Sequence, residues 1–189
     1  MKAYKCFPSD LTLGGVRYEV SKTYSSNMSE MHGKKFTAYK KIDSALNPFL
    51  EFGSVVYCEV CLSGVIDEDC GKLPGEVHAT EMTIQRILTN GEVAALLGGL
   101  FKVRRLAQWN FINAKGLLVS DTWFDFAWDY GNGYALVHLN GKKNIINSGG
   151  EYITQWGNLL DDIGHPMGII ERWEKNRSEN QTTIKHTQS

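Results

Sequence analysis

The side chains best equipped for chemistry in this 189-residue chain are its cysteines. Cys58-Glu59-Val60-Cys61 is a C-x-x-C, and with Cys6 and Cys70 it offers four thiolates, the number a tetrahedral zinc site takes. The spacing argues against that use. Val55-Val56-Tyr57-Cys58-Glu59-Val60-Cys61-Leu62 is rich in β-branched and aromatic residues, so it reads as a strand. On a strand, residues three apart point to opposite faces, whereas a zinc knuckle needs a turn between its cysteines. A redox pair would want a helix N-terminus to lower a thiol pKa. The default is therefore buried, reduced strand cysteines, with no metal and no cofactor. His32, His78, His138, His165 and His186 are scattered, with no H-x-x-x-H or H-x-E pattern. Asp121, Asp125 and Asp129 are spaced by four, and Asp161-Asp162 follows. Such carboxylates could do acid–base work, but aspartates in turns usually accept from the loop backbone. No phosphate-binding glycine pattern occurs.

The elements that would position these groups follow from periodicity. Ala3–Phe7, Val16–Val20, Phe36–Tyr39, Ser54–Leu62 and Val77–Leu88 read as strands, and Ile42–Leu46 as one or two helical turns stopped by Pro48. Residues 25–35 and Asp67 to Gly75 read as loops. Thr89-Asn90-Gly91-Glu92 fits a capping box, and Val93, Leu96, Leu97, Leu100, Phe101 and Val103 follow at helical spacing. These residues predict one main helix over Asn90–Leu106, with Lys102, Arg104 and Arg105 in its last turns, where cations favour the helix dipole. Gly98-Gly99 inside it implies close packing against a strand.

Beyond Gln108 the pattern is β. Strands are expected at Trp109–Asn113, about Thr122–Ala127, Tyr134–Leu139 and Lys143–Asn147, with a turn at Ala114-Lys115-Gly116 and a loop at Asp129–Gly133. Asn140-Gly141 is a strong two-residue hairpin signal. Asn158–Ile163 suggests a short closing helix, and residues 173–189 are polar enough to form a flexible tail. Asn110-Phe111-Ile112-Asn113-Ala114-Lys115-Gly116 returns 34 positions later as Asn144-Ile145-Ile146-Asn147-Ser148-Gly149-Gly150. An internal repeat of that period marks stacked supersecondary units. The fold class expected is α+β: a mixed α/β domain at 1–106 with one main helix, then an antiparallel β-meander at 107–172.

Composition narrows the function classes. A hydrophobic content of 42% suits an ordinary folded core. The net charge of −1 supplies no field for general phosphate-backbone binding, so nucleic acid is disfavoured. No apolar run is long enough for a membrane span, and Met1–Asp10 lacks a signal-peptide core, which points to the cytoplasm.

Two resemblances add to this. Trp109-Asn110-Phe111-Ile112, Lys115-Gly116, Trp123-Phe124-Asp125, Gly133-Tyr134-Ala135-Leu136-Val137 and Asn140-Gly141-Lys142 together look like a WG repeat, and Lys143-Asn144-Ile145-Ile146 begins a second unit. Asn110 and Asn144 stand where that family has its naming glycine. The resemblance implies an interaction surface and no catalysis. The first hundred residues resemble an uncharacterised domain family of phage proteins, through Tyr4-Lys5-Cys6-Phe7, Asp10-Leu11-Thr12, Gly15–Val20 with Lys22-Thr23-Tyr24, and Val56–Val60 with Ser63-Gly64. Lys35-Phe36-Thr37-Ala38-Tyr39 departs from that family's Gly-Phe-His-Ala-Cys segment. This resemblance implies phage origin and assigns no activity.

The expected function is a non-enzymatic phage accessory protein in the host cytoplasm that binds a host protein, as an anti-defence inhibitor of the anti-CRISPR kind. The alternatives are an ADP-ribosyltransferase-like enzyme using NAD, with Lys5 in place of the usual first-strand Arg or His, and a virion structural component. The partner site is expected at the aromatic cluster beside the Asn140-Gly141 hairpin: Trp128, Tyr130, Tyr134, His138, Lys142 and Lys143. The competing reading puts Trp128 and Tyr134 in the core.

Overall fold

A computed structural model describes residues 1–26, 35–46, 50–68, 73–157 and 168–177. Its elements, in chain order, are β1 (Lys2–Pro8), β2 (Thr12–Leu13), β3 (Val16–Arg17), β4 (Thr23–Ser25), β5 (Phe36–Tyr39), α1 (Ile42–Ala45), β6 (Val55–Glu68), β7 (Glu76–Ile87), α2 (Asn90–Leu96), β8 (Leu100–Arg105), β9 (Gln108–Asn113), β10 (Phe126–Gly131), β11 (Tyr134–Leu139) and β12 (Lys142–Asn147). A last helix, α3, covers residues 168–177. Pro48, the Asn158–Ile163 segment, Cys70, Asp161, Asp162, His32, His165, His186 and residues 178–189 lie outside the described residues.

The N-terminal strands close on themselves. β6 pairs with β1, β1 with β5, β5 with β7, and β7 returns to β6, all antiparallel; β4 adds to the far half of β7. Inward residues alternate along each strand, as the pleat requires. Ala3 and Phe7, Ala38, Cys58, Val60 and Leu62, and Val77, Ala79, Met82 and Ile84 fill the interior. β6 is longer than its hydrophobic run suggests, because its polar half, Ser63–Glu68, is carried by pairing with β7.

Outside the ring, α1 and α2 pack with Tyr4, Tyr57, Phe101, Val103 and Ile112 in a second core. This core joins the ring to the β8–β9 hairpin. A parallel bridge from Glu51 to Arg104 ties the same two parts at the backbone. A third core, built on Leu100, Phe111, Phe124, Val137 and Ile146, lies between β8–β9 and the β10-β11-β12 sheet.

The chain is predominantly β, only about 14% helical, which overturns the α+β reading with its one main helix. The capping box is present: the Thr89 side chain accepts from the Glu92 amide, and Glu92 accepts from the Thr89 amide. The helix it starts ends at Leu96, ten residues short of the expected Leu106. Gly98 and Gly99 adopt φ of 87° and 117°, which reverse the chain. Leu100–Arg105 then enters a ladder with β9. In that ladder Phe101 and Val103 face the second core and Leu100 the third. The apolar spacing that imitates a helix stripe is therefore two sheet faces interleaved. The expected Thr122–Ala127 strand and Asp129–Gly133 loop are also displaced. The strand runs Phe126–Gly131 and the turn falls at Asn132-Gly133, where φ is 53° and 78°.

The repeat is deeper than its seven matched letters. Several backbone hydrogen bonds of the first copy recur 34 residues on. The Asn113 amide donates to the Leu117 carbonyl, and the Asn147 amide to that of Glu151; the Val119 amide donates to Phe111, and Ile153 to Ile145. The bridges Ile112–Leu118 and Ile146–Tyr152 correspond in the same way. So do β8 and β11, whose ends differ by 34, and the Gly98-Gly99 and Asn132-Gly133 reversals ahead of them. Unit one therefore begins at Gly98, inside the stretch expected to be helix.

Candidate functional site

The β10-β11-β12 sheet presents two faces. Alternation sends Ala127, Ala135, Val137 and Ile146 to the third core. The opposite face carries three cross-strand rows: Phe126, His138 and Lys143; Trp128, Leu136 and Ile145; and Tyr134 with Asn147, with Tyr130 beside them. Five of the six expected partner-binding residues (Trp128, Tyr130, Tyr134, His138 and Lys143) thus share one face. Lys142 does not: it pairs with Leu139 and belongs to the other.

α3 lies across one end of this face. Ile169 and Ile170 are buried with Leu136 and Ile145, and Tyr130 and Tyr134 pack at the margin. The Trp173 ring meets Tyr134 edge-on at 6.3 Å. The Tyr134 hydroxyl donates to Glu174 at 2.8 Å, and Arg177 pairs with Glu151 at 3.2 Å and sits over Trp173. Burial and the Glu174 carboxylate push the Tyr134 phenol up to about 12. Residues 173–177, expected in the tail, are therefore held in a docked helix. The apolar pair Ile169-Ile170 followed by Trp173 one turn on was the available signal for it.

The other end of the face is open. Trp128 is 58% exposed and Phe126 43%. The core alternative therefore fails for Trp128, while Tyr134 is half-buried under α3. Phe126 belongs to the same crowded aromatic stretch without being one of the six expected residues, and its place two residues before Trp128 puts it on the same strand face. The His138 ring packs on Phe126 at 5.1 Å, and its Nε2 is buried with no hydrogen-bond partner among the described residues. Burial, reinforced by the Lys143 ammonium, lowers the His138 pKa and favours the neutral imidazole. The open end is thus two exposed aromatic rings beside a neutral imidazole, with Lys143 at the margin. It has the composition of a protein interface.

The remaining candidates resolve into structural roles. Asp125 accepts from the Asn140 amide at 2.7 Å and Asp129 from that of Gly131 at 2.7 Å, the turn roles expected; Asp121 is exposed. Asn140 and Gly141 both take positive φ, 49° and 74°, as a type I′ hairpin demands. Cys58 is buried inside the ring, its thiol pushed up to about 12 by desolvation, while Cys61 is exposed. Among the described residues no three His, Cys, Asp or Glu side chains gather as a metal site. His78 bonds Glu76 at 2.9 Å. Lys5 donates to the Thr37 carbonyl. On β8–β9, Lys102 and Arg104 lie over Trp109, and Arg105 lies over Trp123. Among the described residues no helix is long and apolar enough to cross a membrane.

A family model described as a domain of unknown function (DUF7666) matches residues 1–95, half of the chain. The match takes in the closed ring and almost all of α2, and stops just before the first repeat unit opens at Gly98. Neither a curated protein nor a solved structure matches the chain.

Proposed function

The chain belongs to this DUF7666 family, whose description assigns no activity, and we propose that it works as a non-enzymatic phage accessory protein that captures a host protein on the open end of the β10-β11-β12 face. One observation carries the reading: Trp128, 58% exposed, stands beside exposed Phe126 on a sheet face whose other end is already covered by α3. Exposing a tryptophan on a rigid sheet forgoes about 2 kcal/mol of burial, which binding would recover. Interface hot spots favour this residue type. The 34-residue period of the hydrogen-bond frame supports reading residues 98–157 as WG-like units, a scaffold that presents the face. The biological role in this reading is inhibition of a host defence complex.

The test is capture of partner from the lysate of a bacterial host by purified wild type and by three variants, each checked for an unchanged melting temperature. Trp128→Ala and Lys143→Glu should weaken capture by about tenfold or more, a loss of ~1.4 kcal/mol. Lys142→Glu, on the other face, should leave it unchanged. Equal capture by all four proteins would remove the face from consideration. Recovery of the protein in purified virions would instead make it a particle component.

A further inference from the structure

The first strands of the two repeat units, β8 and β11, differ at their outer edges. In an antiparallel ladder the paired residues alternate: one pair exchanges its bonds, and the next turns its N–H and C=O groups away from the partner strand. Lys102 pairs with Phe111, and the Phe111 carbonyl accepts from the Val119 amide on the far side of β9. The Lys102–Phe111 pair is therefore of the second kind, and the Lys102 N–H and C=O point together away from β9. In unit two the equivalent residue is Leu136, whose outward groups face Trp128 of β10. In unit one α2 takes the offset of β10, and a helix keeps its backbone groups for itself. Among the described residues neither the Lys102 N–H nor its C=O has a hydrogen-bond partner.

That edge borders a hollow of about 420 Å³, a size that small-molecule sites take. Arg104, two residues on, points its backbone the same way, and its carbonyl accepts from the Phe52 amide at 2.7 Å, which puts residues 51–52 on this side of β8. Lys102 lines the hollow with Phe52, Val55, Tyr57, Leu88 and Phe101. Tyr57 and Phe101 are buried and meet edge-on at 5.5 Å, while Phe52 is exposed. The Lys102 ammonium lies over Trp109, on the opposite face of β8 from Phe101, so Lys102 meets the hollow with its backbone. The open edge is one residue long. Phe52 engages Arg104 at one end, and at the other Leu100 is buried where α2 packs on β8. An added peptide strand needs a longer row of backbone groups. A single flat ring needs one donor and one acceptor side by side.

We propose that this hollow binds a flat nitrogen heterocycle of the nucleobase kind. A ring nitrogen accepts from the Lys102 N–H, and an amino group on the adjacent carbon donates to the Lys102 carbonyl. The ring body lies among Phe52, Leu88 and Phe101, whose apolar and aromatic surfaces suit a π-face. Adenine carries such an edge. The site is separate from the β10-β11-β12 face and stands independently of protein capture there.

The experiment titrates the full wild-type chain with 9-methyladenine, followed by amide proton–nitrogen NMR. The Lys102 amide should shift, together with those of Tyr57, Leu88 and Val103. 9-Methylpurine, which lacks the amino donor, should bind at least tenfold more weakly. Lys102→Ala, which keeps the backbone N–H, should bind as wild type does. Lys102→Pro removes that N–H, which takes no part in the β8–β9 ladder, and should bind at least tenfold more weakly. An oligodeoxyadenylate separates the sources: its binding with the same Lys102 shift assigns a base carried on a strand, and its failure assigns a free base, both on the proposed site. The proposal is overturned by an unmoved Lys102 amide or by equal affinity for the two purines. A folded Lys102→Pro protein that binds as well as Lys102→Ala would also overturn it. The wild-type mapping and the purine pair stand even where Lys102→Pro does not fold.

Discussion

The two repeat units share a hydrogen-bond frame and differ in everything laid on it. In each, a buried asparagine clamps the strand that follows. Asn110 accepts from the Phe111 amide and donates to the Ser120 and Thr122 carbonyls; Asn144 accepts from the Ile145 and Thr154 amides and donates to the Thr154 carbonyl. Thr154 adds a hydroxyl bond that unit one lacks, because the equivalent residue is Ser120, whose hydroxyl accepts from Thr122 instead. The outer covers differ more. Ahead of unit two runs strand β10; ahead of unit one, at the same offset, runs helix α2. Unit one is closed by the ring, and unit two by α3 with a bare margin. The polar frame therefore defines the unit, and the apolar covering decides which unit keeps a surface to offer.

The largest effect expected from this comparison is on the clamps. Asn110→Ala and Asn144→Ala each strand several buried amides and carbonyls, so each should cost about 3 kcal/mol. Thermal melts should show the two drops within a few degrees of each other, each on the order of 6–12 °C. A fall in one variant alone would show that only that unit uses the frame.

A smaller effect separates equivalent glycines. Gly116 and Gly150 occupy the same position with φ of 79° and 86°. A Cβ on Gly150 would stand 2.5 Å from the Val119 carbonyl oxygen, whereas one on Gly116 would come no closer than 3.7 Å to the Gly91 amide. Both substitutions incur the left-handed penalty of about 1 kcal/mol, and only Gly150→Ala adds a backbone collision. Denaturant unfolding should give about 1 kcal/mol for Gly116→Ala and about 3 kcal/mol for Gly150→Ala. Equal values would mean that the close packing of the two units yields easily.

The smallest effect concerns α2, the helix that stands in for a strand. The Thr89 backbone amide, then the Arg86 guanidinium and the Thr89 hydroxyl, hold the Glu92 carboxyl down to about 2 from its usual 4.5. A depressed folded pKa means that the contribution is complete above about pH 4.5 and is lost as pH falls toward about 2. Glu92→Gln should flatten the fall in melting temperature across that interval and change little near neutrality beyond the lost cap. An unchanged acid profile would show that the capping box does not report on folding.

What was legible in the sequence was local. The Asn140-Gly141 turn and the Thr89–Glu92 box are fixed by contacts within a few residues, and the ring strands show an alternation between neighbouring positions; each leaves its mark on residue type. Asn110 and Asn144 were visible as a repeat, and their departure from the WG glycine was visible too. That their amides serve as internal clamps was not, because the partners lie ten or more residues away. The open aromatic face was partly legible: alternation groups Trp128, Tyr130, Tyr134 and His138, but it also groups Phe126, and it separates Lys142 from Lys143.

The sequence by itself determined the turns, the caps, the strand periodicity and the 34-residue period, since each depends on backbone preference and short-range hydrogen bonding. Tertiary structure alone decided the rest. Leu100, Phe101 and Val103 fit a helix stripe or a strand between two cores equally well, and the deciding factor was the presence of a partner strand on one side and the ring on the other. Where α3 lies across the sheet decided that Tyr134 is covered and Trp128 is bare. Burial is a property of what packs over a residue, and that information is spread across segments far apart in the chain.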